Sequence, residues 1–87
     1  MNLITVHTKP NCPLCDDAIE VIESVREKIH FDLAKKNILE SLDDFERFKH
    51  DIPVICLNGK ELARHRISQE QLLAALSGTT PDSPRRL

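Results

Sequence analysis

Cys12 and Cys15 enclose only Pro13 and Leu14, and two thiols so spaced can exchange with a disulfide, share a metal ion or close a structural bridge. Where the pair falls in the chain selects among these. The residues before it, Leu3 to His7, alternate and are partly β-branched, as in a strand, and Thr8-Lys9-Pro10-Asn11 read as a turn. After it, Ala18, Ile19, Ile22, Val25 and Ile29 recur at three- and four-residue steps. That spacing predicts an amphipathic helix of about four to five turns, ending near His30. Asn11 or Cys12 is placed to cap it, and Pro13 falls in the first turn, where a missing N–H is harmless.

At a helix N-terminus the unpaired backbone N–H groups and the positive dipole end favour a thiolate, the species that attacks a disulfide. Three residues on, the chain has turned almost once. Cys12 is therefore expected to be exposed and attacking, with Cys15 deeper behind it and able to break a mixed disulfide by intramolecular attack. Lys9 adds positive charge upstream, whereas Asp16 and Asp17 oppose a thiolate. In their simpler roles Lys9 is a solvated turn residue and the acids complement the helix dipole.

A zinc ion needs two further ligands. Cys56, His7, His30, His50 and His65 are the remaining candidates, and none forms a second close pair; no metal site is assigned. Cys56 lies within an apolar strand and reads as a small hydrophobe, and the histidines read as surface or strand-end residues. A Cys–His hydrolase would leave Cys15 without a purpose.

The elements that must position the pair follow from the rest of the chain. Phe31 to Ile38 reads as a strand, its signal weakened by Lys35 and Lys36, and Ser41 with Asp44 forms a loose capping box ahead of Phe45 and Phe48. Ile52-Pro53-Val54-Ile55-Cys56-Leu57 is a β-rich run ending at Asn58-Gly59, a strong two-residue hairpin turn, with Lys60 to His65 as the return strand. Ser68 and Gln71 open a last helix through Leu72, Leu73, Ala75 and Leu76 that Gly78 can close. The order is βαβαββα, an α/β fold with a four-stranded mixed sheet flanked by helices. Residues 1–78 are expected to form the domain and 79–87 a flexible tail.

Eighty-seven residues allow one domain with a small core. A net charge of −2 and a pI near 6.0 give no basic field for nucleic acid or an anionic membrane, and the absence of Trp and Tyr removes an aromatic platform for stacking bases. No apolar run approaches about 18 residues, and Met1 to Val6 reads as a strand and not a signal peptide. An uneven set of three cysteines suits a reducing compartment. The expectation is a cytoplasmic, soluble monomer.

With a strand, Cys12-Pro13-Leu14-Cys15, a helix, and later Ile52-Pro53-Val54 before a hairpin, the chain resembles the glutaredoxin-like proteins of the thioredoxin-fold superfamily over about residues 2 to 77. It is most similar to small members with Cys-x-x-Cys-Asp, Ile-Pro-Val and an Asn-Gly or Asp-Gly turn. The resemblance implies that Pro53 is cis and lies against the cysteine pair, leaving the Ile52 backbone free to pair with an extended substrate segment. It gives Cys12 the role of nucleophile and Cys15 that of resolving thiol, with Lys9, Pro13, Leu14, Ile52 and Pro53 as substrate-binding positions. Glutathione-using members carry Thr-Val-Pro and Gly-Gly-x-x-Asp segments. Here the first reads Asp51-Ile52-Pro53, no Gly pair stands between Glu61 and Ser68, and Leu14 replaces a frequent aromatic residue, so glutathione contacts are not assigned.

The resulting expectation is a thiol–disulfide oxidoreductase without a resident cofactor. It would act on a protein or small-molecule disulfide and be recharged by an unidentified thiol reductant. Two alternatives stand beside it: a module holding an iron–sulfur cluster between two chains, against which the missing glutathione features count, and a non-catalytic redox-sensing scaffold.

Overall fold

A computed structural model describes residues 2–77; the tail expected at 79–87 and the closing role given to Gly78 lie outside them. Along the chain run β1 (Leu3–Thr8), α1 (Pro13–Arg26), β2 (Asp32–Asn37), a 3-10 turn (Ile38–Glu40), α2 (Leu42–Phe48), β3 (Val54–Leu57), β4 (Lys60–Arg64) and α3 (Gln69–Leu76). The strands form one sheet in the order β2-β1-β3-β4. β1 is parallel to β2, with Ile4 opposite Leu33, and antiparallel to β3, with Val6 opposite Ile55. The α/β class, the element order and the mixed sheet are as the sequence predicts.

Side chains alternate across a strand, and β1 uses both faces. Ile4 and Val6 join Ile55 in a cluster with Ala18, Ile22 and Val25 of α1, Phe31, and Leu72 of α3. Burying a side chain such as Ile22 completely contributes about 1.5–3 kcal/mol, so this face, with several such residues, supplies most of the stability. The opposite face packs Val54 against Ile38, Phe48 and Ile52, and it is this smaller cluster that Cys12 and Cys15 join.

Several boundaries differ from the periodicity. α1 ends at Arg26, capped by Glu27, and not near His30. The Lys28 and Ile29 N–H groups both donate to the Val25 carbonyl at 2.9 Å, a turn that drops Phe31 into the core at 0% exposure. β2 lies within the strand read from Phe31 to Ile38, Lys35 and Lys36 included. It is an edge strand, where exposed lysines are tolerated and discourage pairing with another chain. β4 stops at Arg64 because His65 turns to φ 68°.

Local signals behave as their chemistry requires. Asn58 and Gly59 have φ 52° and 89°, the doubly left-handed conformation of a tight hairpin turn. Asn58 also ties that turn to β1: its Oδ1 accepts from the Leu3 N–H and its own N–H donates to the Leu3 carbonyl, both at 2.8 Å. Ser41 and Ser68 cap α2 and α3 by accepting from the Asp44 and Gln71 N–H groups at 3.3 and 3.0 Å. Neither box is reciprocal: the Ser41 N–H donates to Ile38, and the Gln71 amide donates to the Leu62 carbonyl.

Candidate dithiol site

The turn between β1 and α1 sets the site. Asn11 takes φ 61°, a left-handed conformation that Asn accepts more readily than most residues. It brings the chain to Cys12 in extended geometry, φ −117° and ψ 100°, as the N-cap of α1, with Pro13 at the first helical position. The Cys15 N–H then donates to Cys12 Sγ at 3.3 Å. A sulfur thus occupies the capping place usually taken by a side-chain oxygen, and as a thiolate it is the stronger acceptor there.

The pair is asymmetric, though not in the form expected. Cys12 is 9% exposed and Cys15 1%. The expectation of an openly exposed Cys12 is corrected: its sulfur folds back over the helix end to take the Cys15 N–H and packs with Ile38, Phe48, Ile52 and Val54. Cys15 is the deeper of the two. Burial and the hydrogen bond with Cys12 push its thiol up, against hydrogen bonds from Thr8 and the Lys9 backbone.

The structure brings Ile52 into the same cluster as the cysteines. The Ile52-Pro53 bond is cis, and Pro53 is fully buried. Hydrogen bonds hold the segment on either side, from the Asp51 N–H to the Phe48 carbonyl and from the His65 N–H to the Pro53 carbonyl, each at 2.8 Å, and they pass over Ile52. Leu14 is 38% exposed and forms, with Asp17, Val21, His65, Arg66 and Ile67, an open groove of about 200 Å³. Lys9 and Pro13 are exposed beside the pair, and neither lines this groove.

Sequence reasoning missed the far wall of the groove. His65, Arg66 and Ile67 carry no motif; only a strand–turn–helix junction after the hairpin hinted that a loop would stand there. Cys56 lies in β3 and packs against the cysteine cluster, as its reading as a small hydrophobe expects. It is half-buried on the α2 face, at a hollow of about 280 Å³ between Arg47, Phe48, Glu61 and Arg64. Burial pushes its thiol up, Glu61 adds to this and Arg47 opposes it. Among the described residues, histidines, cysteines and acids do not converge in a group that could hold a metal ion, and no helix is long and apolar enough to cross a membrane.

A central β1 with a parallel and an antiparallel neighbour, a Cys-x-x-Cys at the following helix N-terminus and a buried cis-proline next to Ile52, which packs with the pair, define a thioredoxin-like fold. Solved structures agree. An X-ray structure of a protein from X. campestris superposes with a TM-score of 0.73 at 21% identity, covering 87% of this chain and 97% of that one. A malaria-parasite thioredoxin-2, a component of protein secretion machinery, superposes with a TM-score of 0.66 at 16% identity, covering 90% of this chain and 82% of that one.

Residues 3–77 match the family of the glutaredoxin-like domain (DUF836), and the chain belongs to that family. A curated relative, a glutaredoxin-like protein of Dictyostelium discoideum, is 32% identical over 78 residues, covering 79% of this chain and 69% of its own.

Proposed function

We propose that the protein is a thiol–disulfide oxidoreductase in which Cys12 attacks and Cys15 resolves. The observation that carries this reading is the N-cap contact: Cys12 Sγ accepts the Cys15 N–H at 3.3 Å, so the less buried sulfur is the one seated at the helix end, facing its N–H groups. Cys15, raised by burial, stays a thiol and does not compete for the first attack.

In the first step the Cys12 thiolate attacks one sulfur of a substrate disulfide, the S–S bond breaks, and one substrate thiolate leaves. Cys15 then gives up its proton and attacks the Cys12 sulfur, expelling the second substrate thiolate and leaving a Cys12–Cys15 disulfide. The substrate gains two electrons and two protons, and the protein loses them. An external thiol reductant, low-molecular-weight or protein-borne, restores the dithiol by the reverse exchange. No resident cofactor enters this cycle, and a dithiol that must be reduced again after each turnover suits a reducing compartment such as the cytoplasm. The exposed Leu14 and the backbone at Ile52, unpaired among the described residues, support docking of an extended, disulfide-bearing segment there, with Pro13 and Lys9 at its margin.

Trapping tests the assignment. Cys15→Ser should accumulate mixed disulfides with substrate, and Cys12→Ser should not. Equal trapping by both variants would sink the assignment.

A further inference from the structure

We infer that His65 is a positioning residue for this exchange, fixing the Ile52-Pro53 segment and forming one wall of the groove beside Leu14. The inference rests on the dithiol reading above.

His65 follows the last residue of β4 and has φ 68°. The Arg66 N–H donates across it to the Arg64 carbonyl at 2.7 Å. These features make a three-residue turn with a left-handed centre, a strained conformation that persists only where its surroundings hold it. Glycine would take this conformation freely. A histidine there adds contacts that glycine cannot make.

The ring contacts, together with a backbone bond that glycine would keep, all reach the segment that carries Pro53. The His65 N–H donates to the Pro53 carbonyl at 2.8 Å. Its ring Nε2 lies 3.4 Å from the His50 carbonyl oxygen, placed to donate to it, and 3.6 Å from Asp51 Oδ1. The other Asp51 oxygen is 2.8 Å from Arg64 Nη1, and the same guanidinium is held by Glu61. The end of β4 therefore grips the chain at His50, Asp51 and Pro53, on both sides of Ile52, which packs with the cysteines. The same histidine faces the groove shared with Leu14, Asp17 and Val21. One residue thus couples the wall of the groove to the backbone on which a substrate would lie.

The test uses the full chain and two substitutions that tolerate a left-handed backbone, His65→Gly and His65→Asn. Three readouts are taken: amide hydrogen exchange, reduction of a peptide dimer joined by one disulfide with dithiothreitol as reductant, and alkylation by iodoacetamide. We expect the Asp51 amide, bonded to the Phe48 carbonyl, to exchange about tenfold faster, the order that loss of a local tether gives. Peptide kcat/KM should fall on the order of tenfold through a raised KM at unchanged kcat, because the lost contacts hold the docked substrate and not the reacting sulfurs. Alkylation of Cys12 should keep its wild-type rate, since iodoacetamide needs no docking.

Unchanged exchange, or unchanged kcat/KM beside an active wild type, overturns the role of His65 alone. Faster alkylation of all three cysteines together also overturns it, because the fold and not the segment would have loosened. A wild-type protein that does not reduce the peptide overturns the dithiol reading itself, and the role of His65 within it falls too.

Discussion

The imidazole of His7 stacks on the ring of Phe48, with centroids 4.5 Å apart and planes 28° from parallel. This joins β1 to α2 on the face of the sheet that holds the cysteine pair. Its Nδ1 is buried without a hydrogen-bond partner among the described residues. Burial lowers the imidazole below its usual value of 6.5; Asp44 opposes the shift, and Lys36 and Arg47 add to it. The unfolded chain therefore takes up this proton at a higher pH than the folded one. Stability from His7 is present above about pH 6.5, is lost as pH falls below it, and loses no more once the folded group is also protonated. We expect the urea midpoint to drop between pH 7 and 5, and His7→Phe to flatten that drop. Parallel pH profiles for the two proteins would refute this account.

The three thiols should react in a fixed order. Cys12 caps a helix, while burial raises both Cys15 and Cys56. At neutral pH, brief iodoacetamide treatment of the reduced protein should label Cys12 about an order of magnitude faster than either of the others. Peptide mass spectrometry reads the order directly, and labelling led by Cys56 would contradict it.

α2 is a helix of seven residues, too short to persist without its cap and its packing. Replacing Ser41 by Ala removes the acceptor for the Asp44 N–H and should cost about 1 kcal/mol, a fall in Tm of about 4–8 °C for a domain of this size. Because Phe48 packs with Cys12 and Cys15, the same variant should also alkylate faster at Cys15. Calorimetry and labelling check the two effects separately.

Asn58 serves the hairpin twice, through its left-handed φ of 52° and through its Oδ1 bond to the Leu3 N–H. Asn58→Gly keeps the conformation and loses the bond, whereas Asn58→Ala loses both. The first should destabilise by about 1 kcal/mol, the net worth of a hydrogen bond, and the second by about 1–2 kcal/mol more, the cost of a left-handed backbone for an ordinary side chain. Chemical denaturation of the two variants side by side measures the difference.

Much of this arrangement was legible in the chain itself. Strand–helix alternation, the serine caps, the Asn58-Gly59 turn and the placement of Cys12 at a helix start depend on residues within a few positions of one another, so their physics is local. The end of α1 was not legible, because Ile29 continues the apolar stripe while burial of Phe31 ends the helix. Lys35 and Lys36 obscured β2 for the same kind of reason: only the strand order reveals an edge where lysines are at home.

The site divides along the same line. Sequence determined the thiol pair, its spacing and its position at the N-terminus of α1, since a strand, a turn and a proline-led helix settle these in sequence. Tertiary structure decided that Cys12 is nearly covered and Cys15 deeper still, that Cys56 opens onto a hollow, and that His65 reaches back to His50, Asp51 and Pro53. Each of these depends on which distant residues the sheet brings together, and short-range pattern contains no record of that pairing.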